Sequence, residues 1–118
     1  MREPSPDTVY VVWWREPNIL KVGYTSQSRW RVFEPRGAAV LALWQFPNLR
    51  DALDFEAFCH RELEASLEPA FVDKAEAKLS RLVPGGCGHM ECYRLNESWD
   101  APAVVAALRS HLTFAEVG

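Results

Sequence analysis

The chain has 118 residues, of which 48% are hydrophobic and 25% charged, a composition typical of one globular domain. Its apolar runs are far shorter than the roughly 20 residues of a membrane-spanning helix. The formal net charge of −3 excludes a protein that coats nucleic acid through bulk positive charge. Three cysteines without the spacing of a disulfide framework, and an N-terminus without a secretory signal, predict reduced thiols and a cytoplasmic location. We therefore expect one domain over residues 1–118 that does not contact a membrane.

Two runs of β-branched and aromatic residues, 8–14 and 19–25, flank the turn signal Pro17-Asn18 and predict an antiparallel hairpin. Ser26 or Ser28 can cap a short helix over residues 27–33, which Pro35 and Gly37 would end. The apolar run 38–46 is typical of a central strand covered on both faces.

The second half of the chain contains the clearest helix, residues 49–66, which Asn48 caps. Asp73 caps a further helix over residues 74–82, and the glycines after Pro84 stop it. Residues 90–95 predict a strand, and Ser98 or Asp100 opens a final helix over about 99–113. This order predicts an α/β fold of the α+β kind. Its centre is a mainly antiparallel, three-stranded sheet flanked by helices, with a late strand and a C-terminal helix.

Glu56 and His60 lie inside the predicted apolar stripe of the long helix, formed by Leu49, Ala52, Leu53, Cys59, Leu63 and Leu67. A carboxylate on that side is costly unless it is paired or bound to metal. A purely structural explanation stays open, in which Glu56 pairs with Arg29 or Arg31 or lies at the solvent edge of the stripe. In the same explanation His60 is a packing residue.

A second group of possible metal ligands comprises Cys59 and His60 together with Cys87, His89 and Cys92. These side chains would suffice for a tetrahedral zinc site, although their spacing is not that of a standard zinc knuckle. Adjacent residues on a helix point about 100° apart, so only one of Cys59 and His60 could join. The alternative is that the cysteines are ordinary thiols.

Several short motifs, in order, resemble the GIY-YIG nuclease superfamily, and more closely its phage-type branch with Lys-Ile-Gly as second motif. The segments that carry the resemblance are Thr8-Val9-Tyr10, Lys21-Val22-Gly23, Arg29-Trp30, the helical stretch 52–60, and Glu91-Cys92-Tyr93. The stretch 52–60 contains Glu56 and His60 and is similar to the branch's helix, which carries Leu-Glu and a trailing His. The resemblance covers about residues 8–95, which would form the core of the domain. The chain departs from the pattern at Thr8, at Lys21, and in having no counterpart of the late asparagine.

This resemblance implies a metal-dependent endonuclease that hydrolyses nucleic acid phosphodiesters. Glu56 would bind one Mg²⁺ or Mn²⁺, Arg29 would contact the scissile phosphate, and Tyr10 would position or deprotonate the attacking water. Lys21 would be a second phosphate contact or a charge that tunes the base. His60 is a possible proton carrier.

The basic side chains that we expect to contact nucleic acid are concentrated early in the chain and are Arg15, Lys21, Arg31 and Arg36. Arg31 also competes with Arg29 for the phosphate role. DNA is favoured over RNA as the substrate, and a protein partner or a homodimer would supply targeting. The alternatives are a non-catalytic nucleic-acid-binding module of the same fold and a zinc-stabilised protein-interaction domain.

Overall fold

The predicted hairpin is confirmed and forms the centre of the sheet. In the computed structural model, which describes residues 7–86 and 88–117 with side chains as far as residue 112, β1 (Asp7–Trp14) pairs antiparallel with β2 (Ile19–Thr25). Asn18 closes the connection with a backbone N–H donated to the Trp14 carbonyl, and its positive φ of 70° is a conformation that asparagine tolerates. The pairing sets Tyr10 opposite Gly23.

Three further strands complete a five-stranded antiparallel sheet in the order β3-β1-β2-β5-β4. They are β3 (Ala39–Phe46), β4 (Glu68–Pro69) and β5 (Cys92–Arg94). The predicted α+β class is therefore confirmed. The late strand joins the central sheet, and the two-residue β4 carries no sequence signal because proline is unfavourable in strands.

The prediction that residues 38–46 form a central strand is wrong, because β3 lies at an edge of the sheet. Leu43 and Gln45 are exposed, whereas the aromatic side chains of Trp44 and Phe46 pack on the core. A register shift between β3 and β1 breaks the alternation of side chains between the two faces of β3. As a result, Leu41 and Ala42 both pack on the same face of the sheet. Because of this shift and of exposed apolar residues such as Leu43, the sequence of β3 is almost continuously apolar. A pattern of this kind is typical of a strand buried on both faces, although β3 is only partly buried.

The long helix α1 (Leu49–Ser66) is confirmed, and the Asn48 side chain accepts a hydrogen bond from the Asp51 N–H at 2.8 Å. Its buried face differs from the predicted stripe, because Leu49 and Leu53 are 49% and 41% exposed. Phe55 is buried instead and contacts several aromatic rings of β3 and α1. Burying this large ring turns the helix so that Glu56 and His60 flank its buried face.

Helices α2 (Lys74–Ser80) and α3 (Ala101–Val117) follow in the second half of the chain. Asp73 caps α2 as predicted, but the helix ends before residue 82 because Arg81 takes a left-handed conformation. Asp100, rather than Ser98, caps α3 by accepting the Ala103 N–H. Among the described residues, no helix has both the length and the apolar character that crossing a bilayer requires.

The predicted helix over residues 27–33 is replaced by two 3₁₀ turns, Arg29–Val32 and Glu34–Arg36. Ser28 has a left-handed conformation with φ of 59°, which differs from the extended backbone of a helix N-cap. Thr25 holds the segment instead, since its hydroxyl oxygen accepts the N–H groups of Gln27 and Arg29. A helix this short gains too little to outweigh that competing arrangement.

The two faces of the sheet carry separate hydrophobic clusters. The first cluster lies between the sheet and helices α1 and α3, and it contains Val9, Val11, Leu20, Val22, Phe55, Cys59, Tyr93 and Leu108. The second lies under the 3₁₀ turns and α2, and it contains Tyr10, Val12, Trp14, Phe33, Ala77 and Cys92. Because β1 and β2 contribute to both clusters, they are buried on both sides.

Candidate functional site

The site lies beside β2, at the position where the pairing of β2 with β5 ends. Along β2, β5 pairs with the first three residues, Ile19, Leu20 and Lys21, so the rest of β2 runs past the beginning of β5. The 3₁₀ turn His89–Glu91 precedes β5 directly, and α1 packs against β1 and β2. This geometry lets side chains from the hairpin, the turn and α1 meet beside β2.

A buried lysine forms the centre of the site. Lys21 is 3% exposed, and its Nζ donates hydrogen bonds to the Tyr10 hydroxyl at 3.0 Å and to the Glu91 carboxylate at 2.7 Å. The same ammonium lies 5.1 Å and 5.4 Å from the ring centroids of Tyr10 and Phe33. These contacts replace the hydration that a buried ammonium loses.

The electrostatics keep Tyr10 neutral and Lys21 charged. Burial is the main cause that raises the pKa of Tyr10, with the Glu91 and Glu56 carboxylates adding to it and Lys21 opposing it. Burial alone would lower the pKa of Lys21, but its contacts with Tyr10 and Glu91 raise that pKa above the ordinary value. At neutral pH the pair is therefore a phenol beside an ammonium.

Two glycines make room for this arrangement. A Cβ on Gly23 would overlap the hydroxyl oxygen and ring of Tyr10 on the neighbouring strand. Gly88 has a φ of +73°, and a Cβ there would lie 2.8 Å from Glu91 Oε1 and 3.0 Å from Lys21 Nζ. Glycine at both positions lets the polar groups approach β2 closely.

Glu56 and His60, one helical turn apart on α1, lie beside Glu91 and have side chains that are 15% and 18% exposed. Together with Tyr10, Lys21 and Glu91 they form one group of polar side chains, here called the cleft. His60 Nε2 lies 3.7 Å from Glu56 Oε2, and His60 Nδ1 lies 2.6 Å from the Tyr93 hydroxyl. Nε2 is fully buried and has no hydrogen-bond partner among the described residues. Such an orphaned nitrogen is unusual in a folded protein, and a water or a bound ion can satisfy it.

Glu56, His60 and Glu91 each offer one ligand atom, and these three atoms lie within 4.8 Å of one another. Small side-chain adjustments would bring them to the distances at which one divalent cation binds nitrogen and oxygen ligands. The chemistry of this donor set and the orphaned His60 Nε2 both fit such an ion. Two carboxylates near a single ammonium also leave the cleft with an excess of negative charge.

The predicted arginines take different positions. Arg29 is exposed on the turn that follows β2, and its guanidinium makes no hydrogen bond or ion pair with the described residues. Arg31 stacks on Trp30, 5.1 Å from the ring centroid. In the described part of the chain, the suggested pairing of Glu56 with either arginine does not form, and Glu56 instead lies 3.7 Å from His60 Nε2.

Two other basic residues predicted to contact nucleic acid are not drawn into the cleft. Arg36 donates a hydrogen bond to the Arg81 carbonyl at 2.8 Å and so ties the second 3₁₀ turn to α2. Arg15 is exposed in the hairpin connection, at the end of β1 and β2 opposite to Gly23.

The cysteines do not join the metal-ligand group among the described residues. Cys59 and Cys92 are buried, and burial raises the pKa of each thiol to about 12, which opposes the thiolate form that zinc requires. Cys87, on which the predicted zinc site with His89 and Cys92 depends, lies outside the described residues.

Glu91, Tyr93 and Gly88 belong to the site, although the sequence alone assigned them no role there. The short motif Glu91-Cys92-Tyr93 was the only signal for the first two, because their partners are 70 and 33 positions away in the chain. Comparison with protein-family models, curated proteins and solved structures finds no match for this chain.

Proposed function

We propose that this protein is a metal-dependent endonuclease of the GIY-YIG type that hydrolyses nucleic acid phosphodiesters. The observation that carries the proposal is the convergence of five chemically active side chains beside β2, of which Tyr10 and Lys21 are buried and Glu56, His60 and Glu91 are partly buried. Phosphodiester hydrolysis needs a positioned water, positive charge near the phosphate and a proton carrier. The cleft offers a group for each need.

Tyr10 serves to position the attacking water. Its oxygen accepts a hydrogen bond from Lys21, so its own proton is free to point toward a water in the cleft. Because burial keeps Tyr10 protonated at neutral pH, it orients the water and does not act as the base. Lys21, held as a cation, adds positive charge close to the reacting phosphate.

Glu56 would hold the divalent cation, Mg²⁺ or Mn²⁺, which supplies Lewis-acid polarisation of the phosphate and favours ionisation of a bound water. His60 shares the cleft and is placed to move a proton. Arg29 is the candidate for the scissile phosphate, because its guanidinium is exposed and uncommitted within the described part of the chain. Arginine can bind two phosphate oxygens at once.

The decisive experiment is a cleavage assay with supercoiled plasmid, single-stranded DNA and RNA, in Mg²⁺, Mn²⁺ or EDTA. We expect metal-dependent cutting that falls by about 100-fold or more in Glu56→Gln, since this variant removes a charged ligand from the cation. Glu62→Gln is the matched control, because Glu62 is an exposed carboxylate on the same helix. Cutting by Glu56→Gln at the rate of the wild type would reject the assigned metal ligand.

A non-catalytic nucleic-acid-binding module is the second candidate, favoured by the exposed Arg31 that stacks on Trp30 next to Arg29. Such a pair offers charge to phosphate and a flat surface to a base. This candidate requires salt-sensitive binding in EDTA and no cut product with any metal. Cut product that depends on Glu56 would exclude it.

A further inference from the structure

We propose that the cleft binds one transition-metal ion of the Mn²⁺, Co²⁺ and Zn²⁺ class in preference to Mg²⁺, through Glu56, His60 and Glu91. The inference rests on the proposed nuclease function for its biological role, since it names the ion for the same site. It adds His60 and Glu91 to Glu56 as ligands, and metal binding by His60 replaces the proton-carrier role proposed for it above.

The first support is the donor set. One atom each from Glu56, His60 and Glu91 lies within 4.8 Å of the others, and all three side chains are partly buried. A site with one imidazole and two carboxylates suits first-row transition metals, whereas Mg²⁺ prefers oxygen ligands in near-ideal octahedral geometry. The imidazole therefore makes the site selective.

The second support is the state of His60 Nε2. This nitrogen has no hydrogen-bond partner among the described residues and is closed to solvent, yet it points toward Glu56 Oε2 at 3.7 Å. Burying an imidazole nitrogen without a partner costs free energy. A cation placed between His60 and Glu56 would satisfy both side chains at once.

The orientation of His60 is set from its other side. Nδ1 lies 2.6 Å from the hydroxyl of Tyr93, which is 2% exposed within the first hydrophobic cluster. When Nδ1 carries the proton and donates it to the Tyr93 oxygen, the Nε2 lone pair is free to bind a cation. Partners of this kind fix the tautomer of metal-binding histidines, so Tyr93 is a positioning residue for the ion.

Glu91 connects the metal ligands to Lys21. Its Oε1 accepts the 2.7 Å hydrogen bond from Lys21 Nζ, which leaves its second carboxylate oxygen for a cation. A dication added to the two carboxylates and the ammonium leaves one net positive charge in the cleft. That charge favours an anionic ligand such as a phosphate, in keeping with the proposed substrate.

The test measures binding of Co²⁺ alone to the full chain by its visible absorption, and binding of Mg²⁺ by calorimetry, without nucleic acid. All variants are made in a Cys87→Ser background, so that this thiol cannot bind the ion. We expect one Co²⁺ per chain, bound at least about tenfold more tightly than Mg²⁺. His60→Ala should weaken Co²⁺ binding by about 100-fold and Mg²⁺ binding by less than about threefold.

Two further variants complete the test. Tyr93→Phe should weaken Co²⁺ binding by about tenfold and change its absorption spectrum, because the imidazole loses its orienting partner. This variant keeps the buried ring, so it decides the question even where His60→Ala fails to fold. Glu62→Gln should bind Co²⁺ as the parent does. Equal affinities for Co²⁺ and Mg²⁺, or unchanged Co²⁺ binding in both His60→Ala and Tyr93→Phe, would overturn the proposal.

The outcome is separable from that of the nuclease proposal. Co²⁺ binding that depends on His60, without cleavage by the wild type, would uphold this metal site and reject the nuclease. Mg²⁺-dependent cleavage, with Co²⁺ affinity independent of His60, would uphold the nuclease and reject the site.

Discussion

Lys21 lies on a central strand with its ammonium almost fully removed from solvent, where an isolated charge would cost several kcal/mol. The Tyr10 hydroxyl and the Glu91 carboxylate compensate for the lost hydration. The arrangement depends on the space beside Gly23, because the Tyr10 ring lies over the backbone of that residue. The absence of a Cβ at Gly23 therefore allows the Tyr10 hydroxyl to approach β2 and to contact Lys21.

We predict that Gly23→Ala destabilises the protein by about 1–3 kcal/mol, because the new Cβ overlaps the Tyr10 ring and hydroxyl. In a Tyr10→Val background the same substitution should cost less than about 1 kcal/mol, since the smaller side chain leaves room. Urea unfolding of the four proteins measures both costs. An equal cost in the two backgrounds would show that the overlap with Tyr10 is not the cause.

At the scale of elements, the local signals in the sequence predicted much of the fold. The hairpin and the caps Asn48 and Asp73 were predicted correctly, because each depends on residues close in sequence. The edge position of β3 was not predictable, since it depends on which strands flank the hairpin. The rotation of α1 also escaped prediction, because contacts between Phe55 and the rings of β3 determine it.

The capping of α1 gives a prediction at this scale. Asn48→Ala should destabilise the protein by about 1 kcal/mol, because the Asp51 N–H loses the acceptor that lies 2.8 Å away. Asn48→Ser retains a side-chain oxygen and should cost only a few tenths of a kcal/mol. Thermal and urea unfolding of both variants would measure this difference. Equal destabilisation by the two substitutions would contradict the capping role.

On the scale of the whole molecule, the two hydrophobic clusters share β1 and β2, and each cluster contains one of the two cysteines that the structure describes. Cys59 lies in the first cluster and Cys92 in the second. Because the same two strands form a wall of both clusters, neither can open widely without disturbing the other. We therefore expect the molecule to unfold as one cooperative unit.

Thiol labelling tests this expectation. In a Cys87→Ser variant at about pH 8, Cys59 and Cys92 should react with a thiol reagent at the same slow rate, which rises together with added urea. Burial raises the pKa of both thiols to about 12, so they stay protonated and protected until the molecule opens. Mass spectrometry of peptides distinguishes the two cysteines. Rapid labelling of one of them in the native protein would show that its cluster opens independently.

The candidate site was predictable only in part, because some of its residues meet through contacts between segments that are far apart in the sequence. Tyr10, Lys21, Glu56 and His60 all belong to the short motifs described above, and they lie close together in the fold. Glu91 joins them because the pairing of β5 with β2 sets Cys92 opposite Lys21. Nothing in the spacing along the chain predicts that pairing.

The position of β5 in the chain has a consequence for protein synthesis. Glu91 lies 70 positions after Lys21, and Tyr93 lies 33 positions after His60, so both partners are made late. Until that segment leaves the ribosome, the nascent chain holds an ammonium without its carboxylate and an imidazole without its hydroxyl. The cleft cannot be assembled on an incomplete chain. A product truncated before residue 91 would therefore lack Glu91 and Tyr93, and with them the contacts that position Lys21 and His60.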